Sequence, residues 1–310
     1  MRKMLFIYNP KAGTSRIRDN LSYILEEFSK HDIRIVVHPT QRAKDCAHTV
    51  KAEGRGYDMI VCSGGDGTLD EAVTGMLEGR FRTPIGYIPA GSTNDFASSL
   101  GISKQMRQAA ADIASGSVFS CDVGKLGEKY FIYVAAFGAF TEVSYKTSQD
   151  AKNALGHLAY LLEGARSLPS LKGYRMRFAS EEMSGEGNFL YGMITNSNSV
   201  GGFKGITGKD VTLNDGVFEV TLIKFPDNVI EYPAMINALI NGGDHPKVIK
   251  FKTKHLEFFC EEEVPWTRDG EYGGSFSHAV IDNIPKALPI ILAEQPAQLE
   301  DDDDDELDEL

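Results

Sequence analysis

A mixed α/β fold is predicted for this chain, an N-terminal doubly wound parallel sheet followed by an antiparallel β-sandwich. In the first 125 residues, short apolar runs alternate with segments of helical spacing, the pattern of parallel strands joined by crossover helices. From Tyr130 onward the character changes to aromatic and β-branched runs separated by glycine-rich turns, with few helical segments between them. A third observation is positional. Three of the early apolar runs end in loops rich in glycine, hydroxyls and acids, at the edge where open α/β sheets bind their ligands.

The elements follow in order. Met4 to Tyr8 reads as a buried strand, and Ile17, Leu21, Ile24, Leu25 and Phe28 give a helix over Ser15 to Lys30. Strands at Ile33–His38, Met59–Cys62 and Pro84–Ile88 alternate with helices at Ala43–Gly54 and Leu69–Leu77. Another helix starts near Asn94, Lys104 to Ser115 is helical, and Val118 to Val123 returns as a strand. The first domain is expected to span residues 1–125. In the second, residues 126–295, the clearest strands are Tyr174–Phe178, Phe189–Thr195, Val217–Ile223, Val248–Thr253 and Leu256–Cys260, with a helix around Gln149–Ser167. A last apolar run, Ile290 to Ala293, either completes the sandwich or returns to the first domain. Residues 296–310 form an acidic tail too polar to bury anything and are expected to be disordered.

Composition narrows the function. With 310 residues and 42% apolar content the chain can bury a full core. The formal net charge is -12, and 32 basic against 44 acidic residues argue against a nucleic-acid partner. Four cysteines without metal-ligand spacing suit a reducing compartment. No apolar run is long enough for a membrane span, so the expected location is the cytoplasm, with only peripheral membrane contact. Lys250, Lys252 and Lys254 alternate along one strand; they suit an edge strand guarded against unwanted pairing better than a basic membrane stripe.

The chemistry concentrates in the loops. Val61-Cys62-Ser63 runs into Gly64-Gly65-Asp66-Gly67-Thr68, where glycines let the main chain turn its N–H groups toward phosphate oxygens and Asp66 brings charge for a Mg²⁺ ion. The run ending at Pro89 leads into Ala90-Gly91-Ser92-Thr93-Asn94-Asp95, and the first strand into Asn9-Pro10-Lys11-Ala12-Gly13. Two later acids sit in turns, Asn214-Asp215-Gly216 and Asp269-Gly270-Glu271. Read locally these are hairpin turns, which does not prevent them from aiming a carboxylate at a site.

Taken together, in this order and spacing, these loops resemble the diacylglycerol kinase catalytic family, in particular its compact bacterial members, over nearly the whole chain apart from the acidic tail. The resemblance implies a kinase transferring the γ-phosphate of ATP to a lipid hydroxyl, most simply that of diacylglycerol, at a membrane surface. It implies that Asn9, Pro10, Lys11, Ala12 and Gly13, Thr40, Gly64, Gly65, Asp66, Gly67, Thr68, Leu69, Asp70 and Glu71, and Gly91, Ser92, Thr93 and Asn94 line the nucleotide. Asp66 and Asp95 would hold Mg²⁺, with Asp215 and main-chain oxygens near Thr212 and Val217 as further metal ligands. Glu271 would take the acceptor's proton, with Asp269 beside it. Three readings stay open: another lipid acceptor such as phosphatidylglycerol or a sphingoid base, a soluble acceptor as in NAD kinase or phosphofructokinase, and a regulator that binds without catalysis. Edge strands in the second domain also leave homodimer formation open.

Overall fold

The first strand is apolar at every central position because both faces of its sheet are covered. This computed structural model describes residues 1–13, 17–91, 94–138, 172–200, 203–204, 211–228, 230–241 and 243–294. β1 (Arg2–Tyr8) lies between β2 (Ile33–Pro39) and β3 (Met59–Gly64), with β4 (Ile85–Pro89) beyond β3, all parallel. Period-2 alternation sends Met4 and Phe6 to one face and Leu5 and Ile7 to the other. The first pair packs with α1 (Ile17–Lys30) and α5 (Met106–Ser115), and the second with α2 (Asp45–Glu53) and α3 (Asp66–Glu78). Helices on both faces make this a doubly wound arrangement, and α4 (Asp95–Ser99) is a single short turn at its rim. α3 begins at Asp66, three residues earlier than the apolar spacing from Leu69 predicts, because its first turn is the polar loop itself.

The second half comprises β5 (Ser117–Leu126), β6 (Lys129–Phe131), β7 (Val134–Gly138), β8 (Tyr174–Ala179), β9 (Ser184–Thr195), the two-residue β10 (Ser199–Val200) and β11 (Phe203–Lys204), β12 (Phe218–Lys224), α6 (Tyr232–Asn241), β13 (Val248–Thr253), β14 (His255–Arg268) and β15 (Glu271–Leu292). The expected strands are present, but they do not form a sheet system of their own. Among the described residues thirteen strands join one sheet whose path runs β13-β12-β9-β7-β14-β15-β4-β3-β1-β2. β14 pairs with both β7 and β8, and β9 pairs with both as well, so these four strands close into a circuit. Inside it Trp266 packs 4.8 Å from Phe137 and 5.3 Å from Phe258, ring centre to ring centre. Each such fully buried side chain contributes about 1.5–3 kcal/mol.

β14 and β15 are far longer than the apolar runs predict. Sequence periodicity stops at Glu261-Glu262-Glu263, where the three acids are exposed, yet the strand continues through them to Arg268. β15 then crosses the molecule: it pairs with β14 at its start, with β5 along its later length, and in parallel with β4 at Ile290 opposite Ile85. The last apolar run therefore returns to the parallel sheet. Leu288 and Ile290 share one core with Leu69, Val73 and Tyr87 and with Met193 of β9, so packing is continuous across residue 125.

β13 is the terminal strand of the path, and two of the three lysines, Lys252 and Lys254, are held in ion pairs. Lys252 lies 3.1 Å from Glu219, and Lys254, just past the strand, 2.9 Å from Glu181. That agrees with the edge-strand reading. The expected helix at 149–167 and the acidic tail at 296–310 lie outside the described residues.

Candidate active site

The loops after β1, β3 and β4 meet because their strands are adjacent and parallel, which brings their C-terminal ends to one edge. Backbone hydrogen bonds knit them there: Asn9 N–H donates to Ser63 O at 2.9 Å, Ala90 N–H to Gly64 O at 2.7 Å, and Thr40 N–H, after β2, to Tyr8 O at 2.9 Å. Lys11 N–H donates to Asn9 Oδ1 at 2.9 Å, an Asx turn that folds residues 9–13 back. Gly13 has φ +53°, and a Cβ there would strike Ala90 O; a Cβ on Gly91 would lie 2.7 Å from Gly65 Cα. These glycines let three main chains touch.

Asn94 is the brace of this edge. Held in the left-handed region at φ 53°, it accepts from Gly91 N–H at 3.1 Å and donates to Gly91 O at 2.8 Å, while Tyr87 Oη lies 3.1 Å from Gly64 O and 3.2 Å from Asn94 Oδ1. Its side chain is therefore spent on the loop. Ser92 and Thr93, expected at the nucleotide, lie outside the described residues. Thr68 and Leu69 are buried on α3, and Gly67 is open, with nothing near a would-be Cβ.

Asp66 opens α3, so the helix's unpaired N–H groups and its carboxylate share one place. Oδ2 accepts from Asp95 N–H at 3.3 Å, whereas Oδ1 is buried without a partner. Burial first, and the charge of Asp95 second, push its carboxyl up to about 6. Two close acids, one with an oxygen waiting for a partner, suit a hard divalent cation. Among the described residues no group of three or more His, Cys, Asp or Glu could hold a metal, so a Mg²⁺ ion here would rely on these two acids, water and phosphate.

The other expected residues have different places. Asp70 is turned away from the loops: Arg268 Nη1 lies 2.9 Å from each of its oxygens. Glu71 accepts from Lys44 N–H at 2.8 Å. Asp269, at φ 47°, is also turned inward. It accepts from Ile132 N–H at 2.7 Å and from Tyr133 and Val134 N–H at 3.0 Å, so both oxygens are committed to the β6–β7 connection rather than facing an acceptor. Burial and the charge of Asp70 push its carboxyl up to about 8, against those three donors. Glu271, two residues on, is exposed at the start of β15, and its charge reaches Asp70.

Asp215 belongs to a separate frame. It is exposed, accepts from Val217 N–H at 3.2 Å and has Lys252 at 3.8 Å; Thr212 beside it is exposed and Val217 half-buried. The turn is pinned by a residue that sequence reasoning missed: Asp122, fully buried on β5, accepts from Gly216 N–H and Lys286 N–H at 2.7 Å each. The available signal was a lone acid inside the apolar run Cys121-Asp122-Val123. Tyr133 was missed as well. Burial holds its phenol well above the ordinary range, reinforced by the charges of Asp66, Asp269, Asp95 and Asp70, so four of these acids act on one hydroxyl.

A cavity of ≈ 450 Å³ lies elsewhere, lined by Phe178, Met183, Lys224, Val248, Ile249 and Lys250 among others, towards the β13 end of the sheet. It takes nothing from the glycine loops.

Comparison with known proteins decides the family. The diacylglycerol kinase catalytic domain matches residues 3–126. The diacylglycerol kinase of Bacillus subtilis (strain 168) is 32% identical over 306 residues, 97% of this chain and 100% of the relative. The chain belongs to the diacylglycerol kinase family. The diacylglycerol kinase of Staphylococcus carnosus (strain TM300) is 34% identical, covering 88% of this chain and 90% of that one. Two crystal structures of Bacillus anthracis str. Sterne proteins share the fold: one at TM-score 0.81 and 24% identity, covering 94% of this chain and 96% of the other, and a diacylglycerol kinase at TM-score 0.74 and 21% identity, covering 94% and 97%. Membership makes the chain an ATP-using lipid kinase. Among its described residues no helix is long and apolar enough to cross a membrane.

Proposed function

We propose that this kinase phosphorylates the free hydroxyl of diacylglycerol, giving phosphatidic acid, with Mg²⁺ at Asp66 and Asp95. The observation that carries the reading is the buried, unpartnered Oδ1 of Asp66 at the N-terminus of a thirteen-residue helix, beside a loop stripped of side chains. Phosphoryl transfer needs charge neutralisation and alignment more than covalent chemistry, and this edge supplies the means for both.

Main-chain N–H groups of residues 65–67, at the first turn of α3, and the folded loop at Asn9–Gly13 hold the phosphate oxygens, with Thr40 and the 91–94 loop at the flanks. A bound divalent ion would offset the charge of the transferring phosphoryl group. Glu271 accepts the proton of the acceptor hydroxyl as its oxygen bonds to the γ-phosphorus and ADP departs. Asp269 takes no proton from the acceptor. It fixes the turn that carries Glu271 by binding three amides. Asp215, with main-chain oxygens near Thr212 and Val217, forms a second cation site whose role is to hold that turn in shape.

Work at a membrane surface follows from an acceptor embedded in lipid; peripheral attachment at the cytoplasmic face completes the proposal. The test is γ-labelled ATP with mixed micelles of diacylglycerol, phosphatidylglycerol or a sphingoid base, with and without Mg²⁺, for the parent, Asp66→Asn and Glu271→Gln. Label in phosphatidic acid that needs Mg²⁺ and both acids supports the proposal. Label in another lipid replaces the acceptor, and full turnover by Glu271→Gln removes the base.

A further inference from the structure

Between the glycine loop and the proposed base lies one basic side chain with an unusual position. Arg268 is the last residue of β14, immediately before the Asp269-Gly270 turn. Its Nη1 lies 2.9 Å from Oδ1 and from Oδ2 of Asp70 and 2.9 Å from Tyr130 O, so one nitrogen joins α3, β6 and β14. The contact is enclosed, with side-chain exposures of 18% for Arg268 and 9% for Asp70. The sequence separation is 198 residues. Asp70 sits one helical turn past Asp66, and Glu271 lies three residues past Arg268. The bond therefore connects the element that holds the phosphates to the strand end that holds the proton acceptor.

We infer that Arg268 is a positioning residue for phosphoryl transfer, clamping the strand end that bears Glu271 against α3 so that the acceptor hydroxyl is aligned with the nucleotide. The inference rests on the reading of Glu271 as base. Two physical features support it. A guanidinium is permanently charged and fans out several donors, so it can serve a carboxylate and a carbonyl together. Asp70 is buried and also feels the negative charges of Glu71 and Glu271, so without Arg268 a cluster of acids would repel across this joint. Asp269 complements the clamp from the other side, because its carboxylate binds the amides of Ile132, Tyr133 and Val134 just past Tyr130. The strand end is thus tied at two successive residues, by a side chain that reaches another element and by one that reaches the following connection.

The test compares Arg268→Met, Asp70→Asn and the double variant Asp70→Asn/Arg268→Met with the parent, measuring kcat, the KM for ATP and the thermal midpoint. Misalignment of about an ångström costs around a hundredfold in rate, so Arg268→Met is expected to lower kcat by about 30–100-fold while the KM for ATP stays within about threefold. Removing the unpaired acid in the double variant is expected to recover about tenfold of that loss. If Arg268 only stabilises the fold, the midpoint falls while kcat of the folded protein stays within about twofold, and the inference is overturned. It is also overturned if ATP KM rises in step with the loss of kcat, which would place Arg268 at the nucleotide. Glu271→Gln run alongside separates the two claims. Full turnover by that variant defeats the base assignment itself, whereas loss there with normal turnover by Arg268→Met defeats the clamp alone.

Discussion

Asp66 and Asp269 are both aspartates withdrawn from water beside the same tyrosine, and they have been put to opposite uses. Asp66 has Asp95 N–H at 3.3 Å from Oδ2, feels the amides of Phe96 and Asn94 as well, and keeps Oδ1 without a hydrogen-bond partner. Asp269 receives three N–H groups at 2.7–3.0 Å, shared over both oxygens. Burial raises both carboxyls, and what separates them is that both oxygens of Asp269 are hydrogen-bonded whereas Oδ1 of Asp66 is not. An acid with an open oxygen is prepared for a ligand that arrives, whereas a saturated one holds chain to chain.

That contrast can be broken by exchanging the roles. Asp66→Asn is expected to lower turnover by about 10²–10³, the range for removing one preorganised group that stabilises transition-state charge, and assays at saturating Mg²⁺ check it. Turnover within tenfold of the parent would mean the open oxygen is not catalytic. Asp269→Ala attacks the other side of the comparison. It leaves three buried N–H groups without an acceptor, so a loss of about 3 kcal/mol or more is expected from urea unfolding. A midpoint unchanged from the parent would show that water replaces the carboxylate.

A smaller effect separates the two acids by pH. The carboxyl of Asp66 titrates near 3.8 in the unfolded chain and about 6 in the fold. Between those values the folded protein keeps a proton that the unfolded chain has released, so metal-free stability falls as pH rises through that window, by about 3 kcal/mol at most. Asp66→Asn should flatten this slope and be more stable than the parent at pH 7; an unaltered slope would assign the proton to another group. The smallest expected effect lies far from both acids. Lys254→Gln, which removes an exposed ion pair with Glu181, should leave the midpoint of the same unfolding assay unchanged, and a clear shift would show that the pair contributes to stability.

Much of this was legible in sequence, and the limits have physical reasons. The parallel half could be read because helix and strand periodicities alternate and because Gly65, Gly91 and Gly13 mark the places where main chains meet. Asp66 could be picked out as it follows those glycines. The role of Asp269 could not, since its partners at 132–134 come from a distant segment and the Asp-Gly pair alone reads as a turn. Arg268 and Asp70 carry no local signal of each other across 198 residues. β14 was underestimated because its middle is solvent-facing, and periodicity reports burial rather than backbone pairing.

The course of β15 has a consequence for how the chain is made. Its end supplies Leu288, Ile290 and Ile291 to cores that include many side chains from the first hundred residues, and Arg82 reaches Ala287 O across 205 positions. At translation rates of about 5–20 residues per second, the parallel sheet would emerge from the ribosome on the order of 10–40 s before the strand that covers its β4 side. Through that interval an apolar flank stands exposed, and contacts of such long range also slow folding once synthesis ends. A nascent chain of this architecture has reason to recruit chaperones between the appearance of β4 and that of β15.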